Sequence, residues 1–266
     1  MNDLFIQKFK RMPLLTIITI TYNAERYLPR TLKSVEKALA KLADQTVVEY
    51  LIIDGGSKDN TLTIASEFDF ISKVISEPDR GLYDAMNKGL NLATGKYLWF
   101  LNAGDQVQDE NILSQLISAF ESNADVYYSD ALLVREDGSE VGLRSKFTPH
   151  NLPKNLTWKD FALGMKVCHQ SFIAKKAIAP AYDYTNLSAD IDWEISCLKN
   201  SKKTQYLDFV LCRYLMGGLS IQNHRRSLLD RYNVLKKHFG LIPSLWNHGL
   251  IFWRGFWFAR KNGKYW

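Results

Sequence analysis

The sequence predicts an α/β fold with a mostly parallel central sheet flanked by helices. Two observations carry this: β-branched apolar runs alternate with amphipathic helical stretches over the first 105 residues, and polar turns follow the ends of the strands. The first unit opens with Leu15–Tyr22 (LTIITITY), the uninterrupted apolar run of a strand buried on both faces, and continues into a helix with Leu28, Leu32, Val35, Leu39 and Leu42 on one side. The second, Val48–Asp54 (VEYLIID), ends in GGSKDNT and passes into a helix over Thr61–Phe68, with Ser57 or Asp59 available as its cap. A short third strand at Lys73–Ser76, a helix over Leu82–Ala93 closed by Thr94-Gly95, and a fourth strand at Tyr97–Leu101 running into Asn-Ala-Gly-Asp complete this half.

Beyond Asp125 the period changes. Val126–Val134 (VYYSDALLV) and the EVGLRSK stretch flank Glu136-Asp137-Gly138-Ser139 as a hairpin, followed by a short helix near Thr157, another over Asp190–Leu198, and a strand-like stretch Tyr206–Leu215. No repeat or low-complexity linker divides the chain. Residues 1–220 are therefore expected to form one domain, and 221–266 an appended helical tail.

The net charge of +6 is concentrated in that tail, where nine cations face Asp230 alone; the tail stands at +8 and the first 220 residues at −2. Leu245, Trp246, Leu250, Trp253, Phe256 and Trp257, flanked by Arg254, Arg260, Lys261 and Lys264, give the composition of an interfacial helix, and residues 243–266 are expected to touch a membrane surface. The alternative left open is a helix that covers the main domain or forms a dimer interface. No basic and aromatic interleaving lies near the strand ends, so nucleic acid is not expected as a partner. Cys168, Cys197 and Cys212 are odd in number and lack metal-ligand spacing, which fits a reducing compartment. With neither a signal-peptide core at the N-terminus nor an apolar run of about 18 residues, the expected location is cytoplasmic, peripheral at the inner face of the cell membrane.

In parallel sheets, ligands bind at the carboxyl ends of the strands. There Tyr22 offers an aromatic plane between Thr21 and Asn23, Asp54 a carboxylate for an imide N–H or ribose hydroxyl, and Asp105 a hard oxygen ligand suited to Mg²⁺ or Mn²⁺. The set suits a base, a diphosphate and its metal.

The segments TIITITYNAERYL (16 to 28), EYLIIDGGSKDNT (49 to 61) and SEPDRGLYDAMNKGLNLATGKYLWFLNAGD (76 to 105), in this order and spacing, resemble glycosyltransferase family 2, including its bacterial polysaccharide-biosynthesis members. The resemblance implies the GT-A fold and inverting transfer of a sugar from a nucleoside diphosphate donor to a hydroxyl of a saccharide or lipid-linked saccharide. UDP is the first expectation for the carrier, with GDP and dTDP open. Residues 1–105 would bind the donor, through Thr21, Tyr22, Asn23, Asp54, Arg80, Asn87 and Asn102, and 106–220 the acceptor. The family's acidic metal motif commonly reads Asp-x-Asp-Asp; here Asn102, Ala103, Gly104 and Asp105 stand in its place. Asp105 alone would then hold the metal, with diphosphate oxygens and water completing the shell.

The segment SADIDWEI, from Ser188 to Ile195, resembles the family's base motif and places Asp190 as catalytic base, with Asp192 as fallback and Glu194 third. CHQSF (168 to 172) resembles an acceptor-side segment and points to His169 and Gln170, while Gly217-Gly218-Leu219-Ser220 resembles a loop that closes over the diphosphate. Simpler readings stand beside these: Tyr22 as a strand end, Arg80 in a surface ion network with Asp79, Glu77 or Asp84, Asp84 and Asn87 as loop ties, His169 as a satisfied buried histidine, and Asp190 as a helix cap. Two other functions remain as alternatives. A sugar-1-phosphate nucleotidyltransferase would need a glycine- and basic-rich loop after its first strand, which TYNAERYL lacks; a catalytically weak or inert sugar-nucleotide-binding protein would fit the thinned acidic motif.

Overall fold

The computed structural model describes residues 12–149, 151–217 and 224–262. The first half runs β1 (Leu15–Thr21), α1 (Leu28–Leu39), β2 (Val48–Asp54), α2 (Thr61–Ala65), β3 (Lys73–Ser76), α3 (Leu82–Leu92) and β4 (Tyr97–Phe100). The second contains β5 (Gln106–Val107), α4 (Ile112–Ala119), β6 (Val126–Tyr128), β7 (Ala131–Val134), β8 (Glu140–Leu143), α5 (Arg144–Phe147), β9 (Phe172–Lys175), α6 (Ala189–Asn200), β10 (Thr204–Tyr206) and β11 (Cys212–Leu215). Two helices close the chain, α7 (His224–Phe239) and α8 (Leu241–Asn262).

The main sheet has the order β10-β6-β9-β4-β1-β2-β3, parallel except for β9, which runs antiparallel to both β4 and β6. Side chains of β4 alternate between its two faces, as period-2 strands must. Tyr97 and Trp99 join α1 and α4 residues such as Leu32 and Leu116, while Leu98 and Phe100 pack with Met86 of α3 and Trp193 of α6. Both faces are covered, which is why the strands read as continuous apolar runs.

Two expected strands each divide between sheets. Val126–Val134 breaks at Ser129-Asp130, where the Asp130 carboxylate accepts Ala131 N–H at 2.9 Å and takes over from the ladder. Tyr206–Leu215 breaks over Leu207–Leu211, and Leu211 N–H is received by Ser129 Oγ at 3.0 Å. The two crossings lie together, so β6 and β10 are parallel neighbours in the main sheet while β7 and β11 are parallel neighbours in a second one, ordered β5-β11-β7-β8. α2 stops at Ala65 because its last turn tightens into i→i+3 bonds. Its N-cap is Asn60, neither Ser57 nor Asp59, although Asp59 Oδ1 accepts Thr61 N–H at 3.0 Å and serves the same orphan donors.

The tail lies against the second half. Trp158 stacks on Phe239 with centroids 5.4 Å apart, Ile251 packs on the core, and Arg254 Nη2 donates to Leu163 O at 2.9 Å. This matches the covering-helix alternative for one side of α8; the opposite side leaves Trp246, Phe252 and Trp253 exposed. Among the described residues, no helix is long and apolar enough to cross a membrane.

Two glycines mark close approaches to β1. A Cβ at Gly89 of α3 would meet Ile18 Cγ2 at 2.6 Å, whereas one at Gly95 would meet the Thr16 backbone nitrogen at 2.6 Å. The buried, β-branched Ile18 side chain is stiff and can recede only by a small shift, but a paired strand backbone yields less still, so Gly95→Ala should cost roughly 1–3 kcal/mol. Gly89→Ala should cost less, because it gains about 1 kcal/mol of helix propensity. Thermal denaturation checks the ranking, and a larger loss of Tm for Gly89→Ala would refute it.

Candidate active site

The β1–β2 register sets Thr21 opposite Asp54, so Tyr22 and Gly55 leave the sheet side by side. Asp54 is buried and accepts from Thr21 Oγ1 (2.9 Å), Ser76 Oγ (2.7 Å), Gly56 N (3.0 Å), Ser57 N (2.9 Å) and the Ser57 hydroxyl. Burial pushes its carboxyl pKa up, but the donors from Ser57, Ser76 and Thr21 outweigh that and hold it below the ordinary value. A carboxylate has about four lone-pair sites, so the turn occupies Asp54 fully. This differs from the expected direct contact with base or ribose.

Asn23, at φ +47, accepts Lys58 N–H at 2.9 Å through its side chain and donates its own N–H to Ser57 Oγ at 2.8 Å, which sews the first turn to the second. Tyr22 stays open, 66% exposed. A Cβ on Gly55 would come within 3.3 Å of the Tyr22 ring and 2.5 Å of Asp79 Oδ2. Glycine there keeps the floor between ring and carboxylate clear.

On the third strand's loop, Arg80 pairs with Asp84 Oδ1 at 2.9 Å, and its guanidinium lies 3.9 Å from the centroid of the Tyr184 ring while donating to a Tyr184 hydroxyl at 2.9 Å. The ion-network reading holds with Asp84 as partner. Asn87 grips the backbone of Tyr182 from both sides, donating to its carbonyl at 2.9 Å and accepting its N–H at 2.7 Å, which is a loop tie.

Asp105 follows β4 and is 4% exposed. Burial pushes its carboxyl up to about 7, against donation from Leu215 N–H (2.8 Å), the Asn102 turn and the Gln170 amide. Among the described residues no cation forms an ion pair with it. Nearby in sequence, Asn102 Oδ1 is buried without a hydrogen-bond partner. Two hard oxygens lacking a positive counterpart fit a divalent cation, and the described residues contain no cluster of three or more acidic, His or Cys side chains that would hold one unaided. Gln170 thus touches Asp105, while His169 is enclosed by Phe100, Tyr182 and Trp193, with Nε2 2.9 Å from the Tyr182 hydroxyl. Burial lowers its pKa to about 4, the condition of a satisfied neutral histidine.

Asp190 is not the N-cap residue of α6, although it serves one first-turn donor. The N-cap is Ser188, and Asp190 stands in the first turn, where its carboxylate accepts Ile191 N–H at 2.9 Å. Burial raises its pKa, and Ile191 N–H, Arg231 and the Tyr83 hydroxyl pull it back only in part. Asp192, the fallback, points elsewhere on the helix: Lys237 Nζ lies 2.8 Å from one oxygen and His238 bonds the other. Residues two apart sit on opposite sides of a helix, so its carboxylate fastens α7. Glu194 is fully buried and neither side-chain oxygen has a partner.

Tyr83 and Arg231 are the site residues that sequence reasoning missed. In the sequence Tyr83 carries no distinguishing signal within the helix over Leu82–Ala93, and Arg231 is one of nine cations in the tail. Only the packing of α7 on α6 brings Arg231 to Asp190. Of the Gly217–Ser220 loop, Gly218, Leu219 and Ser220 lie outside the described residues.

The glycosyl transferase family 2 model matches residues 16–179. A "PGL/p-HBAD biosynthesis glycosyltransferase" of Mycobacterium tuberculosis is 31% identical over 223 residues, covering 78% of this chain and 79% of the relative. An uncharacterized glycosyltransferase of Methanocaldococcus jannaschii is 24% identical over 262 residues, covering 93% and 86%. Among solved structures, S. aureus TarS 1-349 in complex with UDP-GlcNAc superposes with a TM-score of 0.67 at 20% identity, over 94% of this chain and 74% of that one. A mannosyltransferase from Pyrobaculum calidifontis, in complex with GDP-Man and Mn²⁺, gives 0.60 at 12%, over 95% and 76%. The fold is GT-A, and the chain belongs to glycosyltransferase family 2.

Proposed function

We propose that this glycosyltransferase moves a sugar from a nucleoside diphosphate, UDP in the first instance, to a hydroxyl of a saccharide or lipid-linked saccharide in cell-surface polysaccharide synthesis, with inversion. The observation that carries the reading is Asp190: a carboxylate in the first turn of α6 that accepts Ile191 N–H and keeps a raised pKa, with a tyrosine and an arginine around it. The UDP-GlcNAc and GDP-Man complexes of the similar structures support the donor class.

In this mechanism Asp190 accepts the proton of the acceptor hydroxyl while that oxygen attacks the anomeric carbon, and the bond to the diphosphate breaks with its electron pair remaining on the phosphate oxygen. Tyr22 stacks the base, the Gly55-Gly56-Ser57 turn held by Asp54 borders the donor, and Arg80 and Gly81 flank it. Asp105 and Asn102 would hold Mn²⁺ or Mg²⁺, which would neutralise charge on the departing diphosphate. The exposed side of α8 rests on the inner membrane surface, beside a lipid-linked acceptor.

Asp190→Asn should lower kcat by about 10²–10⁴-fold, the usual worth of a general base, with donor binding intact. In the parent enzyme the acid limb of the pH–rate profile should lie above the ordinary aspartate value of about 3.9, since a raised base must lose its proton before it acts. Near-normal kcat in this variant would remove the assignment.

Asp105→Asn should abolish the extra thermal stabilisation that Mn²⁺ adds to UDP, while UDP alone still raises Tm. Retention of the Mn²⁺ increment would place the metal elsewhere.

Glu194 has its pKa raised well above the ordinary value, first by burial and then by the Asp190 charge. An acid raised on folding leaves stability intact below its unfolded pKa, and stability falls as pH climbs towards the folded one. Glu194→Gln should therefore match the parent in Tm near pH 4 and exceed it increasingly at neutral and alkaline pH. A gap that does not change with pH would contradict this protonation state.

A further inference from the structure

Helix α6 begins without a side-chain cap. Its N-cap residue, Ser188, turns its hydroxyl to Ser227 O of α7 at 3.1 Å, so the orphan donors of the first turn are met by other groups. Ala189 N–H reaches Asn186 O at 3.3 Å, and Ile191 N–H the Asp190 carboxylate at 2.9 Å. Between them, Asp190 N–H faces a hydroxyl from another element, that of Tyr83 in the first turn of α3. The same hydroxyl donates to Leu187 O at 3.3 Å and faces the Asp190 carboxylate.

The ring that carries this hydroxyl is held by a stack. Tyr83 is 8% exposed and lies against Tyr182, centroids 5.7 Å apart with 20° between the planes, and Tyr182 stacks in turn on Trp193 of α6 at 5.1 Å and 11°. Asn87, one turn along α3 from Tyr83, clamps the Tyr182 backbone, and Trp193 Nε1 donates to Pro180 O at 2.9 Å. Packed in this way, the hydroxyl keeps one easy freedom, rotation about its own C–O bond.

A separation of 3.3 Å is long for O–H···O, whose ordinary range ends near about 3.0 Å. An ionised carboxylate is the stronger acceptor, so the Tyr83 proton favours Asp190 whenever that group is charged. The other titratable groups that bear on Asp190 are Arg231 of α7, Glu194 of its own helix, Tyr182 of the preceding loop and Tyr214 of β11. Arg231 acts on it by charge; a hydroxyl donor also fixes which way the carboxylate faces.

We propose that Tyr83 is the positioning residue for Asp190: its hydroxyl holds the ionised carboxylate in one orientation, with the lone pairs left by Ile191 N–H and Tyr83 turned to the acceptor hydroxyl. When Asp190 takes the acceptor's proton, the Tyr83 proton rotates back to Leu187 O and no bond of Tyr83 breaks. The proposal rests on the reading of Asp190 as the base and names how that base is aimed. Tyr83 stands two residues past Gly81, the N-cap of α3, so the loop proposed to flank the donor and the residue that aims the base belong to one helix start.

The test uses the full-length protein with isotope-labelled aspartate carboxyls followed by carbon NMR, the Asp190 signal being the one that Asp190→Asn removes. Tyr83→Phe keeps the ring stack and takes away the hydroxyl, so the Asp190 titration should move to higher pH, because a donor to the charged form is lost. Tyr83→3-fluorotyrosine, a stronger donor of nearly the same shape, should move it to lower pH and serves where Tyr83→Phe folds poorly. Turnover is measured with whichever UDP-, GDP- or dTDP-sugar raises Tm most. In Tyr83→Phe kcat should fall about tenfold, the worth of one hydrogen bond to a charged group. The acid limb of the pH–rate profile should follow the titration upward, while the nucleotide-sugar rise in Tm stays as in the parent. In an Asp190→Asn background the same substitution should lower kcat no further. An Asp190 titration unmoved by both variants, or the same tenfold loss on top of Asp190→Asn, would overturn the proposal. Near-normal kcat in Asp190→Asn alone would defeat the base reading, and the titration would still decide whether Tyr83 holds the carboxylate.

Discussion

The parallel register that sets Thr21 against Asp54 governs the first half of this enzyme. Buried between two strands, the Asp54 carboxylate is tolerable only because donors from its own turn, from Thr21 and from Ser76 satisfy it. Unpartnered, it would carry a desolvation cost of several kcal/mol. Its bonds fix Gly55, Gly56 and Ser57, Ser57 in turn receives Asn23 N–H, and Asn23 holds Lys58. Three consecutive strand ends are thereby locked before any ligand arrives. Tyr22 is free to present its ring because its neighbours are tied down on either side.

That arrangement explains why the first half was legible in the sequence and the rest less so. β-branched runs ending in polar turns are local signals, and Val48–Asp54 and Lys73–Ser76 fell where the pattern placed them. The later strands depend on non-local partners. VYYSDALLV reads as one strand, yet Ser129 and Asp130 bond to Leu211 and Ser145 from elsewhere in the chain and split it between two sheets. Polarity alone could not separate Tyr22, which is open, from Asn87 and His169, which are enclosed by backbone and aromatic partners. Position after a strand identifies where a site lies; hydrogen-bond saturation decides which of its side chains remain available.

The second half shows what a single helix can do with three acids. Asp190, Asp192 and Glu194 share one element, and their surroundings assign them three conditions. Asp192 meets Lys237 and His238 and is held ionised. Glu194, turned into the core without a partner, is driven towards the neutral form. Asp190 lies between these limits: burial raises it, while Arg231 and the Tyr83 hydroxyl limit the rise. A group in that middle condition is suited to take up and release a proton, whereas its two neighbours on the helix are each fixed in one state.

The basic tail is tied to the helix that carries Asp190. The charges of the tail include Lys237, which anchors α7 to Asp192, the Asp230 carboxylate that receives Leu187 N–H at 2.9 Å just ahead of α6, and Arg231 near Asp190. Each contact lies at or near the first turn of α6, where a shift of the helix would move Asp190 against the crevice. General-base catalysis depends on that placement, because proton transfer requires hydrogen-bond reach of about 2.6–3.2 Å. α7 therefore holds Asp190 from behind, and α8, continuing from it, carries the exposed indoles. A change in how α8 packs has a short covalent path, through Gly240 and α7, to Asp190, the base proposed above.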